Sequence, residues 1–269
     1  MTAEAMCAAT VGTRVVAPPG STLALMSASD IAARLGWTLE TVESTGSTNA
    51  DLVGRVGHGL VLVAREQTAG RGRLDRHWIS APGDGLTFSV RLQVPSVVSA
   101  WGWIPLMAGL ATAQAVRAAG AQGVGVKWPN DVVGPQGKLA GILSQRDGEA
   151  AIVGIGINLA FAGDRPDPQA VSVAELGGSP DVDVILGATI ENLSRWWERF
   201  VAAGGDAQRC GLAGAYTAEC VSVGADVQVS GVDRTWTGHA QGIDDQGQLL
   251  VSDGGAVVPV SAGDVTLRH

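Results

Sequence analysis

Between residues 59 and 78 the chain changes abruptly in character. Gly-Leu-Val-Leu-Val-Ala at 59–64 is short, uncharged and β-branched, which makes it a buried strand. The stretch from Gln67 to Trp78 is the reverse. Arg71, Arg73 and Arg76 alternate with Gly70 and Gly72, where a packed element would carry apolar side chains. Glycine lets a backbone bend and come close to a ligand, and arginine supplies a planar fork of donors for carboxylate and phosphate oxygens. Any sheet this chain builds must therefore open, at this strand, into a cationic loop suited to closing over an anion. Standing alone, Gly-Arg-Gly-Arg also fits a solvated basic turn. It is no P-loop, because no Gly-Lys-Ser/Thr ends it, and no aromatics interleave with it as in a nucleic-acid segment.

The rest of the composition narrows the anion site. The 269 residues suffice for one sizeable core, or a large domain and a small one. At 46 % hydrophobic residues the chain folds rather than staying disordered. A net charge of −8 argues against a general nucleic-acid or anionic-membrane surface, so any anion site is local. Cys7, Cys210 and Cys220 form neither a metal spacing nor an even disulfide framework, which fits inert thiols in a reducing cytoplasm. The start lacks an export signal. Leu92 to Val116 carries no charge, but Pro95, Pro105 and several polar residues make it a buried helix after Pro105 and not a membrane span. Of 18 basic residues only Lys127 and Lys138 are lysine, and Asn49, Asn130, Asn158 and Asn192 are the only asparagines. In a chain biased to Ala, Gly, Val and Arg, surviving lysines mark places where a compact ammonium is needed and a guanidinium does not serve.

Taken in order, residues 1–26 lack periodicity and are expected to be a disordered extension. Ser29–Gly36 is a short capped helix. Trp37–Glu43 is a strand, followed by Ser47, Thr48 and Asn49 at a strand-to-helix junction, where three small polar side chains exceed what one N-cap needs. Gly85–Leu92 returns as a strand, Trp101–Ala119 is an apolar helix, and Gly123–Trp128 is a strand ending at Pro129. Asp131–Val133 and Lys138–Leu143 form a hairpin about Gly134–Gly137, and Ala150–Leu159 is a further buried strand. Its Gly-Ile-Gly lacks the third glycine and the helix of a dinucleotide fingerprint. Asp183 opens an amphipathic helix with Leu186, Ile190, Leu193, Trp197 and Phe200 on one face. From Val221 short β-rich runs alternate with Gly/Asp turns, as in a small β-barrel. The organisation expected is thus 1–26 extension, 27–218 catalytic domain and 219–269 barrel, with an α+β class and a mostly antiparallel or mixed sheet in the larger part.

Both lysines and three of the four asparagines fall in glycine-rich junctions, together with Ser47–Asn49, Gln67–Trp78 and Gly154–Asn158. This convergence describes one site, rich in cations and neutral hydrogen-bonders. No Ser-His-Asp set, carboxylate pair or metal cluster accompanies it, and His58, His77, His239 and His269 have no recognisable spacing. Such a site suits phosphoryl or adenylyl transfer to a carboxylate, in which two anions repel until cations screen them.

Five motifs carry a resemblance over residues 29–269: Ser47-Thr-Asn49; Gly70-Arg-Gly-Arg73 with Arg76 and Trp78; Lys127-Trp-Pro-Asn-Asp131; Gly137-Lys-Leu-Ala-Gly-Ile-Leu143; and Gly154-Ile-Gly-Ile-Asn158. In this order and spacing they resemble biotin protein ligases, the biotin–[acetyl-CoA-carboxylase] ligases. The resemblance implies a fold akin to class II aminoacyl-tRNA synthetases with a C-terminal SH3-like barrel. It implies biotin and ATP, accompanied by Mg2+, as substrates, a biotinyl-5′-adenylate intermediate, and a biotin carboxyl carrier domain of an acyl-CoA carboxylase as acceptor. By the same resemblance Ser47, Thr48, Asn49 and Gln67 meet the ureido end of biotin. Arg71, Gly72 and Arg73 line its carboxylate and the adenylate phosphate, and Lys138 stabilises the charge between them. Arg76, Trp78, Asn130 and Asn158 belong to the nucleotide side, and Asp131 orients the acceptor lysine. Two departures stand out. Asp75 replaces a glycine common in relatives, and the DNA-binding domain of the repressor members is not expected here. The expectation is a cytoplasmic enzyme, monomer or weak homodimer, with no nucleic-acid or membrane partner. A lipoate or octanoate ligase and a non-catalytic biotin-binding regulator are the competing readings.

Overall fold

The computed structural model describes residues 26–73, 76–78, 83–163, 165, 167–230, 235–261 and 264–267. Residues 1–25 of the expected extension, with Cys7, Asp75 and His269, lie outside that set. Helix α1 (Ala28–Arg34) begins on Ser27. The Ser27 hydroxyl accepts from the Asp30 N–H and the Asp30 carboxylate accepts from the Ser27 N–H, a reciprocal cap contributing about 1 kcal/mol. Strand β1 (Thr38–Thr45) leads through the short helix α2 (Thr48–Leu52) to β2 (Leu60–Gln67), which pairs parallel with it. β3 (Gly85–Gln93) returns antiparallel, and helix α3 (Trp103–Ala118) follows. Then come β4 (Gly125–Lys127), β5 (Asp131–Gly134), β6 (Gly137–Asp147) and β7 (Ala150–Asn158). The seven strands form one mixed sheet in the order β1-β2-β3-β7-β6-β5-β4.

The sheet is two-faced because its strands alternate. On β3, Leu86, Phe88, Val90 and Leu92 join the main core, while Thr87, Ser89 and Arg91 point the other way. The core face is covered by α3, buried on nearly every side, with α4 (Val182–Ala202) packed against α3 and α1. Helix α4 buries the expected Leu186, Ile190, Leu193, Trp197 and Phe200. It starts before Asp183, because Asp181 is the cap: its carboxylate accepts the Val184 N–H at 3.1 Å. The uncharged run from Leu92 resolves into a strand end, a loop and α3. Among the described residues no helix is long and apolar enough to cross a membrane.

Helix α5 (Leu212–Glu219) was not expected; its small-residue sequence has no amphipathic period. Beyond it β8 (Asp226–Ser230), β9 (Thr235–Ile243), β10 (Leu249–Asp253), β11 (Ala256–Val260) and β12 (Asp264–Leu267) form an antiparallel sheet, ordered β11-β10-β9-β8-β12. The β9–β10 turn docks on the larger unit. The indole N–H of Trp103 donates to the Asp245 carbonyl and that of Trp128 to the Gly247 carbonyl, each at 3.0 Å. Gly102 permits the approach, since a Cβ there would lie 2.2 Å from the Gln246 carbonyl oxygen. Cys210 and Cys220 are buried free thiols.

Candidate active site

The face of the sheet turned away from the core is floored with glycine. Backbone pairing aligns Lys127, Asp131, Gly141, Gly156 and Thr87 in one row across β4, β5, β6, β7 and β3. Leu143, Gly154 and Ser89 form the next row on the same face, because directly opposed residues of an antiparallel pair share a side. The missing side chains make room for others. A Cβ on Gly156 would fall 2.3 Å from Trp78 Cε2, and one on Gly154 would fall 2.4 Å from Asn49 Oδ1. Trp78 thus lies against the floor from the arginine loop, and Asn49 closes it from α2.

The α2 side is a buried polar cluster. Thr48 and Asn49 are 3 % and 5 % exposed, and Ser89 is fully buried. Ser47 is the N-cap residue of α2 but makes no side-chain cap bond. The Thr48 N–H donates to Gln67 Oε1 at 2.8 Å, and Thr48 Oγ1 lies 2.6 Å from Ser89 Oγ. Ser89 donates to Asn49 Oδ1 at 2.6 Å, and Asn49 Nδ2 donates to the Leu143 carbonyl at 3.1 Å. The structure therefore brings Thr48, Asn49 and Gln67 together and adds Ser89, which the motif reading did not single out. Its signal was present: Thr87, Ser89 and Arg91 are polar at every second position of an otherwise apolar strand, the mark of a strand with a second, occupied face.

The cationic end lies along β5 and β6. Lys138 Nζ is 2.7 Å from Asp131 Oδ1, with their side chains 39 % and 23 % exposed. Between Val132↔Ala140 and Val133↔Lys138 the pairing shifts by one residue, leaving Leu139 extra. This bulge breaks the alternation and returns Lys138 to the glycine face, 3.1 Å from where a Gly141 Cβ would sit and 5.8 Å from the Trp78 ring centroid. Arg73 Nη1 donates to Asn130 Oδ1 at 3.1 Å, and Asn130 Nδ2 donates to the Ile142 carbonyl at 3.1 Å. Asn158 Nδ2 donates to the carbonyls of Lys138 and Val171, each at 3.2 Å, so it holds the backbone that carries Lys138. The arginine loop folds on itself through Gly72 N–H to Arg76 C=O at 2.6 Å and Trp78 N–H to Gly70 C=O at 3.0 Å. Arg71 and Arg76 are exposed on it. Below Asp131, burial pushes the Tyr216 phenol well above its usual range, with Cys220 and Asp131 adding to the shift; Tyr216 is a neutral neighbour. Among the described residues no three His, Cys, Asp or Glu side chains converge as metal ligands.

Known proteins resemble this chain in sequence and in fold. Residues 40–161 match the model of the biotin/lipoate A/B protein ligase family, and residues 225–268 match the biotin protein ligase C terminal domain. The chain is 40 % identical to a biotin–[acetyl-CoA-carboxylase] ligase of Mycobacterium tuberculosis, over 87 % of this chain and 91 % of the relative. The chain belongs to the biotin protein ligase family. A second ligase of that description, from Paracoccus denitrificans, is 34 % identical over 81 % of this chain and 96 % of its own. Among solved structures, the biotin protein ligase from Aquifex aeolicus in complex with biotin and ATP superposes with a TM-score of 0.74. It is 28 % identical and covers 86 % of this chain and 98 % of its own. The fold is accordingly that of a biotin ligase, a mixed-sheet α+β unit with an SH3-like antiparallel sheet at the C-terminus.

Proposed function

We infer that the chain is an ATP-dependent ligase that joins biotin to a lysine of a carboxylase carrier domain. A biotin carboxylate oxygen attacks the α-phosphorus of ATP and pyrophosphate leaves, giving biotinyl-5′-adenylate. The acceptor lysine amine then attacks the acyl carbon and AMP leaves. The observation that carries this reading is the order of groups along one face of the sheet. Buried Thr48 and Asn49 and half-buried Gln67 form a neutral hydrogen-bonding end, the glycine floor under Trp78 follows, and Lys138 stands beyond it, the polarity of a molecule with a ureido ring at one end and a carboxylate at the other.

In this reading Ser47, Thr48, Asn49 and Gln67 hold the ring system, and Trp78 packs against it. Lys138 leaves its resting contact with Asp131 to bridge the carboxylate and the α-phosphate, where charge builds in transfer. Arg71 and Gly72 close over the carboxylate, Arg73 and Arg76 neutralise phosphate oxygens, and Asn130 orients Arg73. Asn158 fixes the Lys138 backbone on the nucleotide side. Asp131, released from Lys138, orients the acceptor amine. ATP would enter accompanied by Mg2+, which would offset part of its phosphate charge. Function as a monomer or weak homodimer in the cytoplasm, with residues 27–218 as catalytic domain and 219–269 as barrel, completes the proposal. The recess favours biotin over lipoate, because a dithiolane offers no donor or acceptor comparable to the buried groups waiting for one.

The test is transfer. Incubated with ATP and a purified carboxylase carrier domain, the protein should label one carrier lysine with biotin and should leave it unlabelled with lipoate. Lipoyl labelling, or biotin binding without pyrophosphate release, would assign the chain to one of the competing readings.

A further inference from the structure

The buried cluster under α2 contains fewer protons than contacts. Two ends of it are fixed by backbone. The Thr48 N–H can only donate, so the atom 2.8 Å from it is the Gln67 amide oxygen. The Leu143 carbonyl can only accept, so the Asn49 atom facing it is the amide nitrogen, which turns Asn49 Oδ1 toward Ser89. Between these two pinned amide oxygens stand two hydroxyls, giving three oxygen–oxygen gaps: Gln67–Thr48 at 3.0 Å, Thr48–Ser89 at 2.6 Å and Ser89–Asn49 at 2.6 Å. Each hydroxyl brings one proton, so one gap has none. Two oxygens at 2.6 Å without a proton between them repel strongly, so both short gaps are filled. Thr48 donates to Ser89, and Ser89 donates to Asn49. The empty gap is the long one, where Thr48 Oγ1 and Gln67 Oε1 face each other as two acceptors. Each of these two oxygens keeps one other partner, Ser89 for Thr48 Oγ1 and the Thr48 N–H for Gln67 Oε1, so the gap costs the repulsion of two facing lone pairs, which an entering donor relieves.

We propose that Ser89 is a positioning residue that sets ligand specificity. By giving its single proton to Asn49 it draws the Thr48 proton inward, which leaves paired acceptors that demand an N–H from the ligand. This rests on the biotin reading and deepens it, since a ureido N–H is the donor the recess lacks. If Ser89 lost its hydroxyl, Thr48 would turn its proton to Gln67 Oε1 and close the gap from within. The recess would then bind biotin more weakly and lose its demand for a donor.

The experiment uses cyclic carbamate analogues of biotin, in which a ring oxygen replaces one ureido N–H at almost unchanged shape, made once for each nitrogen. Pyrophosphate release gives kcat/KM for each. The parent protein should prefer biotin over at least one carbamate by roughly 100-fold, the loss expected when a buried acceptor is left unpaired. In Ser89→Ala kcat/KM for biotin should fall and the preference should shrink to about 10-fold or less. Ser89→Thr, which keeps the hydroxyl, should retain most of the preference. If both carbamates are used by the parent within a few-fold of biotin, or if Ser89→Ala keeps the full preference, the proposal is overturned while biotin ligation stands. Should Ser89→Ala not fold, Ser89→Cys, whose thiol is a weak donor, takes its place, and the full preference kept in that variant overturns the proposal. Absence of any pyrophosphate release with biotin itself would instead bring down the biotin reading.

Discussion

At the scale of single residues, Lys138 carries the largest expectation. It reaches the glycine face through a bulge and rests 2.7 Å from Asp131, and in the proposed reaction two anions replace that one partner. Lys138→Ala should cut adenylate formation by about 10²–10³-fold, the usual cost of losing one preorganised charge-stabilising group, with thermal stability kept. Lys138→Arg should fail as well, because the broader guanidinium does not fit beside Gly141 and Trp78. Adenylation within a few-fold of the parent in either variant would remove Lys138 from this role. The lysine was legible in sequence from its rarity among 16 arginines. Ser89 was not, because a lone serine in a strand has no local signature. Its partners Thr48 and Asn49 lie about forty residues earlier in the chain, and only the sheet register brings them together.

At the scale of elements, the arginine loop follows β2 and folds back so that Trp78 lies on the glycine floor. Excluding water from a mixed anhydride requires this loop to close further over the adenylate. Amide hydrogen exchange across residues 67–78 should therefore slow when biotin and ATP are added together; unchanged exchange would argue against closure. Most strands and the two large helices were readable from period and turn residues. Three elements were not. Helix α5 is only two turns long and its apolar side, Leu212, Ala213 and Tyr216, is set among alanine and glycine with little polar contrast, and β9 interrupts its alternation with Gly238 and Gly242. The last strand, β12, is only Asp264–Leu267. The starts of α1 and α4 shifted because Ser27 and Asp181 make the capping bonds, a choice among neighbouring Ser and Asp residues that sequence leaves open.

At the scale of the molecule, two units meet where the β9–β10 turn sits on the start of α3 and accepts the indole N–H groups of Trp103 and Trp128. Gly102→Ala would press a methyl against the Gln246 carbonyl, 2.2 Å from the ideal Cβ position. Overpacking of this kind costs about 1–3 kcal/mol, so the melting temperature should fall by several degrees, and an unchanged value would mean the turn yields freely. The contact also walls an open cleft of about 450 Å3 next to the glycine floor, lined by Arg73, Trp101, Trp128, Asn130, Gln246 and Gly247, on the side where the proposal puts the nucleotide. Biotin would go into that cleft if the glycine floor were merely structural, and this makes the decisive measurement plain. A crystal structure with biotin and a non-hydrolysable ATP analogue should place the ureido ring against Thr48 and Gln67 and the carboxylate beside Lys138, across Gly141 and Gly156. Biotin seated instead among Trp101, Trp128 and the β9–β10 turn, with Lys138 still held by Asp131, would contradict it.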